Sequence, residues 1–171
     1  TRAMALADQS PAEGPLLVLT ERQTHGRGRG QNAWWSAPGA LTFSLLLPID
    51  DLPKEHLPRF SLTVGLAICQ AIEGLAPLAD LALKWPNDVY LEGRKLSGIL
   101  VEVPGRGAAR AVIGVGINVN NSASTAPAEL QAKCVAVCDV LEETVDVNAV
   151  LIACLQQLEH QWSQLLMLPH R

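Results

Sequence analysis

The sequence predicts an α+β fold, in which a mixed, largely antiparallel sheet is backed by helices. Two groups of short apolar segments, each bounded by turn residues, predict the strands, and a longer segment between them has the 3.6-residue apolar spacing of a helix. Helical patterns also begin and end the chain. With 171 residues, 49% of them apolar and 18% charged, the chain has the composition of one globular domain and not that of a disordered segment.

The individual elements follow in order from these patterns. Residues 2–9 predict a helix, and the apolar segments 16–19 and 41–47 predict strands, the second of which is ended by Pro48. Pro58 and Gly74 are suitable first and last residues for a packed helix over 58–74. Turn residues at 92–94 and 104–107 predict hairpins. The remaining predicted elements are strands at 81–84, 88–91, 95–103 and 111–119 and helices at about 128–143 and 147–166.

Composition and charge exclude several classes of function. Thirteen basic and seventeen acidic residues give a net charge of −4, which argues against a protein that coats nucleic acid by neutralising phosphates. No apolar run approaches the roughly 18 residues of a membrane span, and the start of the chain lacks a signal-peptide pattern. The four cysteines form no C-x-x-C pair and the four histidines show no metal spacing. We therefore expect reduced thiols, no structural zinc and a cytoplasmic protein.

A basic, glycine-rich loop at 22–36 is the most informative segment. Gly26, Gly28 and Gly30 alternate with Arg27 and Arg29. The backbone can therefore approach a ligand closely, while the guanidinium groups offer paired donors to phosphate or carboxylate. The loop matches neither the phosphate-loop nor the dinucleotide-binding pattern. A flexible nucleic-acid contact is the alternative, but the position of the loop between two apolar strands favours an ordered anion site.

A second polar cluster begins with Lys-Trp-Pro-Asn-Asp at 84–88. Pro86 restricts the backbone to a rigid corner. There, Asn87 and Asp88 can act as oxygen ligands of Mg²⁺ on nucleotide phosphates or form an ordinary solvated turn. Lys95 follows at the start of an apolar strand, where a charge is costly unless an anion meets it. Gly98 in the same strand indicates close approach of a ligand or of another backbone segment.

In combination, these segments resemble the biotin protein ligase (holocarboxylase synthetase) family. The resemblance rests on residues 23–29, 34–39, 84–88, 94–102 and 114–118, which follow the order and spacing of that family and extend over essentially the whole chain. It implies the fold shared with lipoate-protein ligases and class II aminoacyl-tRNA synthetases. It also implies a two-step reaction. Biotin and MgATP give biotinyl-5′-AMP and pyrophosphate, and a lysine of a biotin carboxyl carrier domain then takes the biotin and releases AMP.

The resemblance assigns roles to single residues. Lys95 and Arg29 are the expected catalytic residues, which position the two reacting anions electrostatically. Asn87 and Asp88 are expected to bind Mg²⁺ or phosphate. Trp34 is expected to pack on adenine. The full expected sets are Gln23, Gly26, Arg27, Gly28, Arg29, Lys95 and Gly98 for biotin, and Arg27, Arg29, Asn32, Trp34, Asn87, Lys95 and Asn118 for ATP or the adenylate.

The other tryptophans and the ends of the chain complete the expectations. Trp35 and Trp162 are expected to be packing residues, and Trp85 is expected to hold the corner at Pro86. Residues 1–171 are interpreted as a ligase catalytic domain. The Ser/Thr-Thr-Asn element that the family places before it and the SH3-like domain that follows are not in this sequence, and no helix-turn-helix domain is expected.

Departures from the family pattern leave alternatives open. Gln31 and Asn32 stand where many bacterial members have Gly and Arg, so one expected arginine contact to the triphosphate is lost. The alternatives are a lipoate or octanoate ligase or transferase of the same fold and a non-catalytic homologue that binds biotin or the carrier. The resemblance implies the carrier domain of acetyl-CoA carboxylase or a related carboxylase as partner and is compatible with a homodimer. It implies neither nucleic acid nor membrane as a partner.

Overall fold

Six antiparallel strands form one sheet in the computed structural model, which describes residues 2–9, 14–48, 59–103 and 110–166. In space the strands follow the order β1-β2-β6-β5-β4-β3. The two ends of the sheet are therefore β1 and β3, and the longest strands lie at its centre. Their bounds are β1 (Leu16–Thr20), β2 (Leu41–Pro48), β3 (Leu81–Lys84), β4 (Asp88–Leu91), β5 (Arg94–Glu102) and β6 (Arg110–Ile117).

The helices pack mainly on one face of the sheet, which we call the helix face. The second helix buries Phe60, Val64, Ile68 and Ile72 at helical spacing and packs with the last helix on this face. The first helix instead covers one end of the opposite face, against β1, β2 and β6. The bounds are α1 (Arg2–Gln9), α2 (Phe60–Glu73), α3 (Ala128–Gln131), α4 (Val137–Leu141) and α5 (Val147–Leu166), with a 3₁₀ turn at Ala123–Thr125.

Most of the predicted elements are confirmed within one or two residues. The hairpin turn between β4 and β5 has positive φ at both Glu92 and Gly93, which is the backbone of a type I′ turn. The predicted turn at 104–107 and the predicted helix start at Pro58 lie outside the described residues. All strand pairs of the sheet are antiparallel, and the one parallel pairing among the described residues is an isolated bridge between Lys95 and Cys134.

The predicted helix over 128–143 is wrong. Two short helices, α3 and α4, are separated by a turn at 132–133 and an extended segment at 134–136. The Lys95 amide donates to the Lys133 carbonyl (2.9 Å), and the Val135 amide donates to the Lys95 carbonyl (3.0 Å). Val135, Ala136 and Val137 are all fully buried. Three consecutive residues cannot all lie on one face of a helix. Their burial means that this segment is covered on more than one side.

Candidate functional site

The uncovered part of the face opposite α2 and α5, which we call the site face, carries mainly glycines and short polar side chains along part of its floor. One row of residues paired across the strands crosses the sheet there: Thr20, Thr42, Gly116, Gly98 and Asp88. The next row carries Ser44 and Gly114. Because side chains alternate between faces along each strand, the glycines leave a trough on this face while their neighbours fill the core.

The basic loop closes over the trough as a short hairpin. The Gly28 amide donates to the Asn32 carbonyl (2.7 Å), and the Trp34 amide donates to the Gly26 carbonyl (3.0 Å). A side chain at Gly26 would overlap the carbonyl oxygen of Trp34, so this position requires glycine. The loop is therefore an ordered element with its own backbone hydrogen bonds.

Trp34 fills part of the trough from above. A methyl group added at Gly98 would lie 3.4 Å from its ring, and one added at Gly116 would overlap the indole. The indole Nε1 is buried and has no hydrogen-bond partner in the described parts of the chain. The two glycines are thus what allows the ring to lie against the sheet.

A β-bulge places Lys95 on the site face. Val89 pairs with Ser97, but Tyr90 pairs with Lys95, so Leu96 is the extra residue on β5. With regular alternation, Lys95 would share the helix face with Ser97. The bulge instead reverses its direction, and a methyl group at Gly98 would lie 3.5 Å from Lys95 Nζ.

Asp88 and Asn87 hold the same corner of the site. Asp88 Oδ1 is buried, and Lys95 Nζ lies 2.7 Å from it. Asn87 donates its amide to the Ile99 carbonyl (2.8 Å), and the Ile99 amide donates to the Asn87 carbonyl (2.9 Å). Since the Asn87 side-chain nitrogen is used in this contact, its oxygen is left as an acceptor. Ser61 Oγ donates to the Pro86 carbonyl (2.8 Å) and fixes the corner from α2.

A cavity of about 650 Å³ lies between the hairpin, the trough and this corner, within the usual size of a small-molecule site. Four cationic side chains line it, namely Arg27, Arg29, Lys84 and Lys95. Two carboxylates also line it, and each is paired: Asp88 with Lys95, and Glu102 with Arg27 at 3.0 Å. The hydrogen bond from Lys84 to the Tyr90 hydroxyl (2.9 Å) raises the pKa of Lys84. The cavity is therefore cationic and suited to anionic ligands.

Most of the residues that the sequence singles out line this cavity. They are Gln23, Arg27, Gly28, Arg29, Asn32, Trp34, Asn87, Asp88, Lys95 and Gly98. Gly26 belongs to the hairpin but does not line the cavity, and it allows the backbone to close. Asn118 does not line the cavity and is 3% exposed. Its side-chain nitrogen donates to the Val135 carbonyl (3.2 Å) and its side-chain oxygen accepts from Asn121 (2.8 Å), so these hydrogen bonds hold the extended segment at 134–136.

The remaining tryptophans divide into packing and exposed residues. Trp162 meets Phe60 edge-to-face at 4.5 Å, and Trp35 packs against the small cluster of Ala123, Ala126 and Cys134, as predicted. The prediction that Trp85 packs to hold the corner is wrong, because its side chain is 75% exposed at the cavity rim. The backbone of the corner is held by the contacts of Ser61 and Asn87 instead.

Sequence reasoning missed four polar side chains of the cavity. Thr42 and Ser44 are two residues apart in an otherwise apolar strand, and this spacing is the signal that could have placed them on a ligand-facing side. Lys84 is the first residue of the polar segment at 84–88, and its place in that segment is the signal that could have identified it. The carboxylate of Glu102 at the end of β5 gave no signal, because its partner Arg27 is 75 residues away in the chain.

Within the described ranges, no three His, Cys, Asp or Glu side chains are grouped closely enough to hold a metal by themselves. The same part of the chain contains no helix that is long and apolar enough to span a bilayer.

Known proteins share both the sequence and the fold. Residues 2–118 match the family model described as the Biotin/lipoate A/B protein ligase family. A bifunctional ligase/repressor BirA from Bacillus spizizenii is 33% identical over 151 residues, covering 87% of this chain and 46% of that protein. The biotin–[acetyl-CoA-carboxylase] ligase of Mycobacterium tuberculosis is 34% identical over 147 residues, covering 84% of this chain and 53% of that protein. The chain thus spans about half the length of these curated relatives.

A solved structure extends the similarity to the backbone. The biotin protein ligase from Aquifex aeolicus in complex with biotin and ATP superimposes with a TM-score of 0.82 at 31% identity. The match covers 94% of this chain and 65% of that one. The α+β architecture with its antiparallel sheet is therefore the fold of a solved biotin protein ligase.

Proposed function

This chain belongs to the biotin/lipoate A/B protein ligase family, and on that premise we propose that it is the catalytic domain of an ATP-dependent biotin protein ligase. In the first step, a biotin carboxylate oxygen attacks the α-phosphorus of ATP. A new P–O bond forms, the α–β P–O bond breaks, and pyrophosphate leaves. In the second step, the amine of an acceptor lysine attacks the acyl carbon, loses a proton as the amide forms, and releases AMP.

One observation carries the proposal: the bulge at Leu96 brings Lys95 onto the floor of a cationic trough beneath the basic hairpin. Two anions, a carboxylate and a triphosphate, must approach each other in the first step. Fixed cations reduce that repulsion and stabilise the charge that develops at phosphorus. Lys95 and Arg29 are the cations to which we assign this role, and both line the cavity.

We assign the biotin ring system to the glycine trough. Gln23 and the backbone of the hairpin lie along this cavity, and Gly98 leaves room at its floor. The narrow apolar and small-residue floor suits a bicyclic ligand with an aliphatic chain, while Lys95 lies where the carboxylate would end. Gly26 contributes by allowing the hairpin to close.

We assign the nucleotide to the wider, polar part of the cavity. Arg27, Arg29, Asn32 and Asn87 supply donors for phosphate and ribose oxygens, and Trp34 supplies an aromatic face for adenine. Asn118 is the one residue of this predicted set that does not line the cavity. Its contribution to nucleotide binding would therefore act through the backbone at 117–119.

The corner at Asn87 and Asp88 fits a Mg²⁺ ion that keeps most of its ligands from water and phosphate. The donor set consists of one free amide oxygen and one carboxylate, and Mg²⁺ is commonly held by one or two protein oxygens together with substrate phosphates. Bound there, Mg²⁺ would neutralise charge on the triphosphate. Because Lys95 lies 2.7 Å from Asp88 Oδ1, the lysine and the ion would share this carboxylate.

The acceptor in this proposal is the carrier domain of a carboxylase, since the Mycobacterium tuberculosis relative is named a biotin–[acetyl-CoA-carboxylase] ligase. We also propose that the protein acts in the cytoplasm, because the reaction needs ATP and a carboxylase in one compartment. A homodimer is compatible with the outer edges of β1 and β3, which pair with no further strand among the described residues.

Biotin-dependent exchange of pyrophosphate into ATP tests the first step. We expect exchange with biotin and at least tenfold less with lipoate or octanoate. Lys95→Ala should reduce the rate by about 100-fold or more, because a preorganised group aimed at developing charge contributes on that scale. Lys133→Ala, which removes an exposed lysine outside the cavity, is the matched control and should keep the wild-type rate.

Each other outcome selects a different function. Exchange with lipoate or octanoate in place of biotin would identify the enzyme as a lipoate or octanoate ligase. Biotin binding by calorimetry without exchange would identify a non-catalytic homologue. A Lys95→Ala rate close to that of the wild type would remove Lys95 from the mechanism.

A further inference from the structure

The basic hairpin is attached to the sheet at two separate points. At one point the indole of Trp34 lies on Gly116 and Gly98. At the other, Arg27 Nη2 donates to Glu102 Oε2 at 3.0 Å. The cavity lies between the hairpin and the sheet and is lined by the side chains of both attachments.

Glu102 lies at the end of the trough that is farther from Lys95. It is the last residue of β5, is paired with Val112, and belongs to the site face because it follows Gly98 and Leu100 in alternation. It lies four positions after Gly98, which is about 13 Å along an extended strand. The Arg27–Glu102 pair therefore closes the end of the trough opposite the proposed reaction centre.

A contact that fixes one residue of the hairpin restrains the hairpin along its whole length. Arg27 forms an antiparallel bridge with Ala33, and the two backbone hydrogen bonds on either side of that bridge join the strands of the hairpin. Fixing Arg27 thus fixes Gly28 and the opposing strand. The side chains of Arg27 and Glu102 are 51% and 31% exposed, so their pair contributes little to global stability and acts on the local position of the hairpin.

Resting on the proposed function, we propose that Glu102 is a positioning residue for biotin: through Arg27 it holds the hairpin closed over the end of the trough. A ligand that binds only beneath the closed hairpin has an apparent affinity that is proportional to the fraction of time the hairpin is closed. Removing the pair lowers the closed fraction. The expected loss of biotin affinity is about two- to fivefold, the range of a partly exposed ion pair.

Glu102→Gln in the full chain tests this role. The KM for biotin in pyrophosphate exchange should rise about two- to fivefold, while the kcat changes by less than twofold. Hydrogen exchange of the Gly28 and Trp34 amides, which close the hairpin, should also accelerate, because these amides exchange from the open hairpin. Glu143→Gln removes the same charge from an exposed loop outside the cavity and should leave all of these quantities unchanged.

A double-mutant cycle with Arg27→Gln separates the pair from independent effects. If Glu102 acts through Arg27, the double variant should show the same KM for biotin and the same amide exchange as Arg27→Gln alone. Effects that multiply in the double variant, or a Glu102→Gln variant with wild-type KM and wild-type amide exchange, would overturn the proposal. Glu102→Asp keeps the charge but shortens the reach, and it repeats the test if the glutamine variant does not fold.

The amide exchange measurement separates this proposal from the proposed function. It needs no ligand and no turnover, so a chain that lacks pyrophosphate exchange activity still reports whether Glu102 holds the hairpin. Faster exchange at Gly28 and Trp34 in an inactive chain would support the positioning role and contradict only the ligase assignment. Unchanged amide exchange in an active enzyme would overturn only the role of Glu102.

Discussion

Gly116 and Gly98 have different amounts of space above them, and this difference locates Trp34. A methyl group at Gly98 would make an ordinary contact with the ring, whereas one at Gly116 would occupy the same space as the indole. Neither residue has a chemical role, yet both decide where the largest side chain of the site lies. The sequence predicts close approach at Gly98, and the structure identifies Trp34 as the approaching group at both glycines.

Replacing Gly116 by alanine should displace Trp34 from the trough. We expect the free energy of unfolding to fall by about 1–3 kcal/mol, the usual cost of an added group in a filled space, as measured by urea unfolding. Gly114→Ala is the matched control, since it lies on the same strand and face and its nearest neighbour is an ordinary 3.6 Å away. Equal unfolding free energies for the two variants would mean that the indole does not lie against Gly116.

At the scale of elements, local patterns predicted those strands and helices whose environment is uniform along their length. The spacing of Phe60, Val64 and Ile68 is enough to define α2, because one face of it meets one core. The bulge on β5 could not be predicted, because it depends on which residue of β4 stands opposite each residue of β5. The same limit applies to residues 134–136, whose extended backbone is held beside Lys95 by backbone hydrogen bonds. Both features are determined by pairing between distant segments, and both place Lys95.

Asp139 is the residue that secures α4 beside this extended segment. Its Oδ2 accepts from the amides of Ala136 (2.8 Å) and Ala123 (3.0 Å). Burial alone would raise the pKa of Asp139, but these hydrogen bonds, one from the Ser122 side chain and the charge of Arg94 outweigh burial and lower the pKa below its ordinary 3.8. The ionised carboxylate is therefore more favourable in the folded chain than in the unfolded one.

Asp139→Asn should destabilise the protein at pH 7 by about 1 kcal/mol, the difference between a charged and a neutral acceptor. The pKa is lower in the folded state, so the contribution is complete above the unfolded value near 3.8. It is lost as the pH falls through the folded value. Urea unfolding at pH 7, 5, 4 and 3 should show wild type and variant converging below about pH 4. Asp80→Asn, at an exposed carboxylate before β3, is the control, and a gap of constant size from pH 7 down to pH 3 would contradict the explanation.

At the scale of the whole molecule, the net charge of −4 conceals a cationic centre. The cavity has four cations and two paired carboxylates, so the acidic excess lies elsewhere on the chain. This arrangement keeps the protein from binding polyanions over its whole surface while it concentrates anionic ligands at one site. A sum over the sequence could not predict it, because Arg27, Lys84 and Lys95 come together only when the hairpin closes on the sheet.

Cys154 should report the cooperative unfolding of the molecule. It is 3% exposed on α5, within the core shared by α2, α5 and the sheet, and burial raises its pKa to about 12. A thiol reacts as its thiolate, so a disulfide reagent at pH 8 should modify Cys154 only through global opening of that core. In the proposed function biotin with MgATP binds the folded state, and these ligands should therefore slow this modification.

Cys138 supplies the internal comparison, because it lies partly exposed on the short helix α4, where burial followed by the charge of Asp139 raises its pKa. Peptide mass spectrometry over a urea series should show Cys138 reacting through local opening, at a rate that is insensitive to low urea. Modification of Cys154 should accelerate with urea in parallel with the loss of helical circular dichroism. If Cys154 instead reacted at a urea-independent rate, α5 would open separately from the sheet, and the site face would then rest on a core that is not a single cooperative unit.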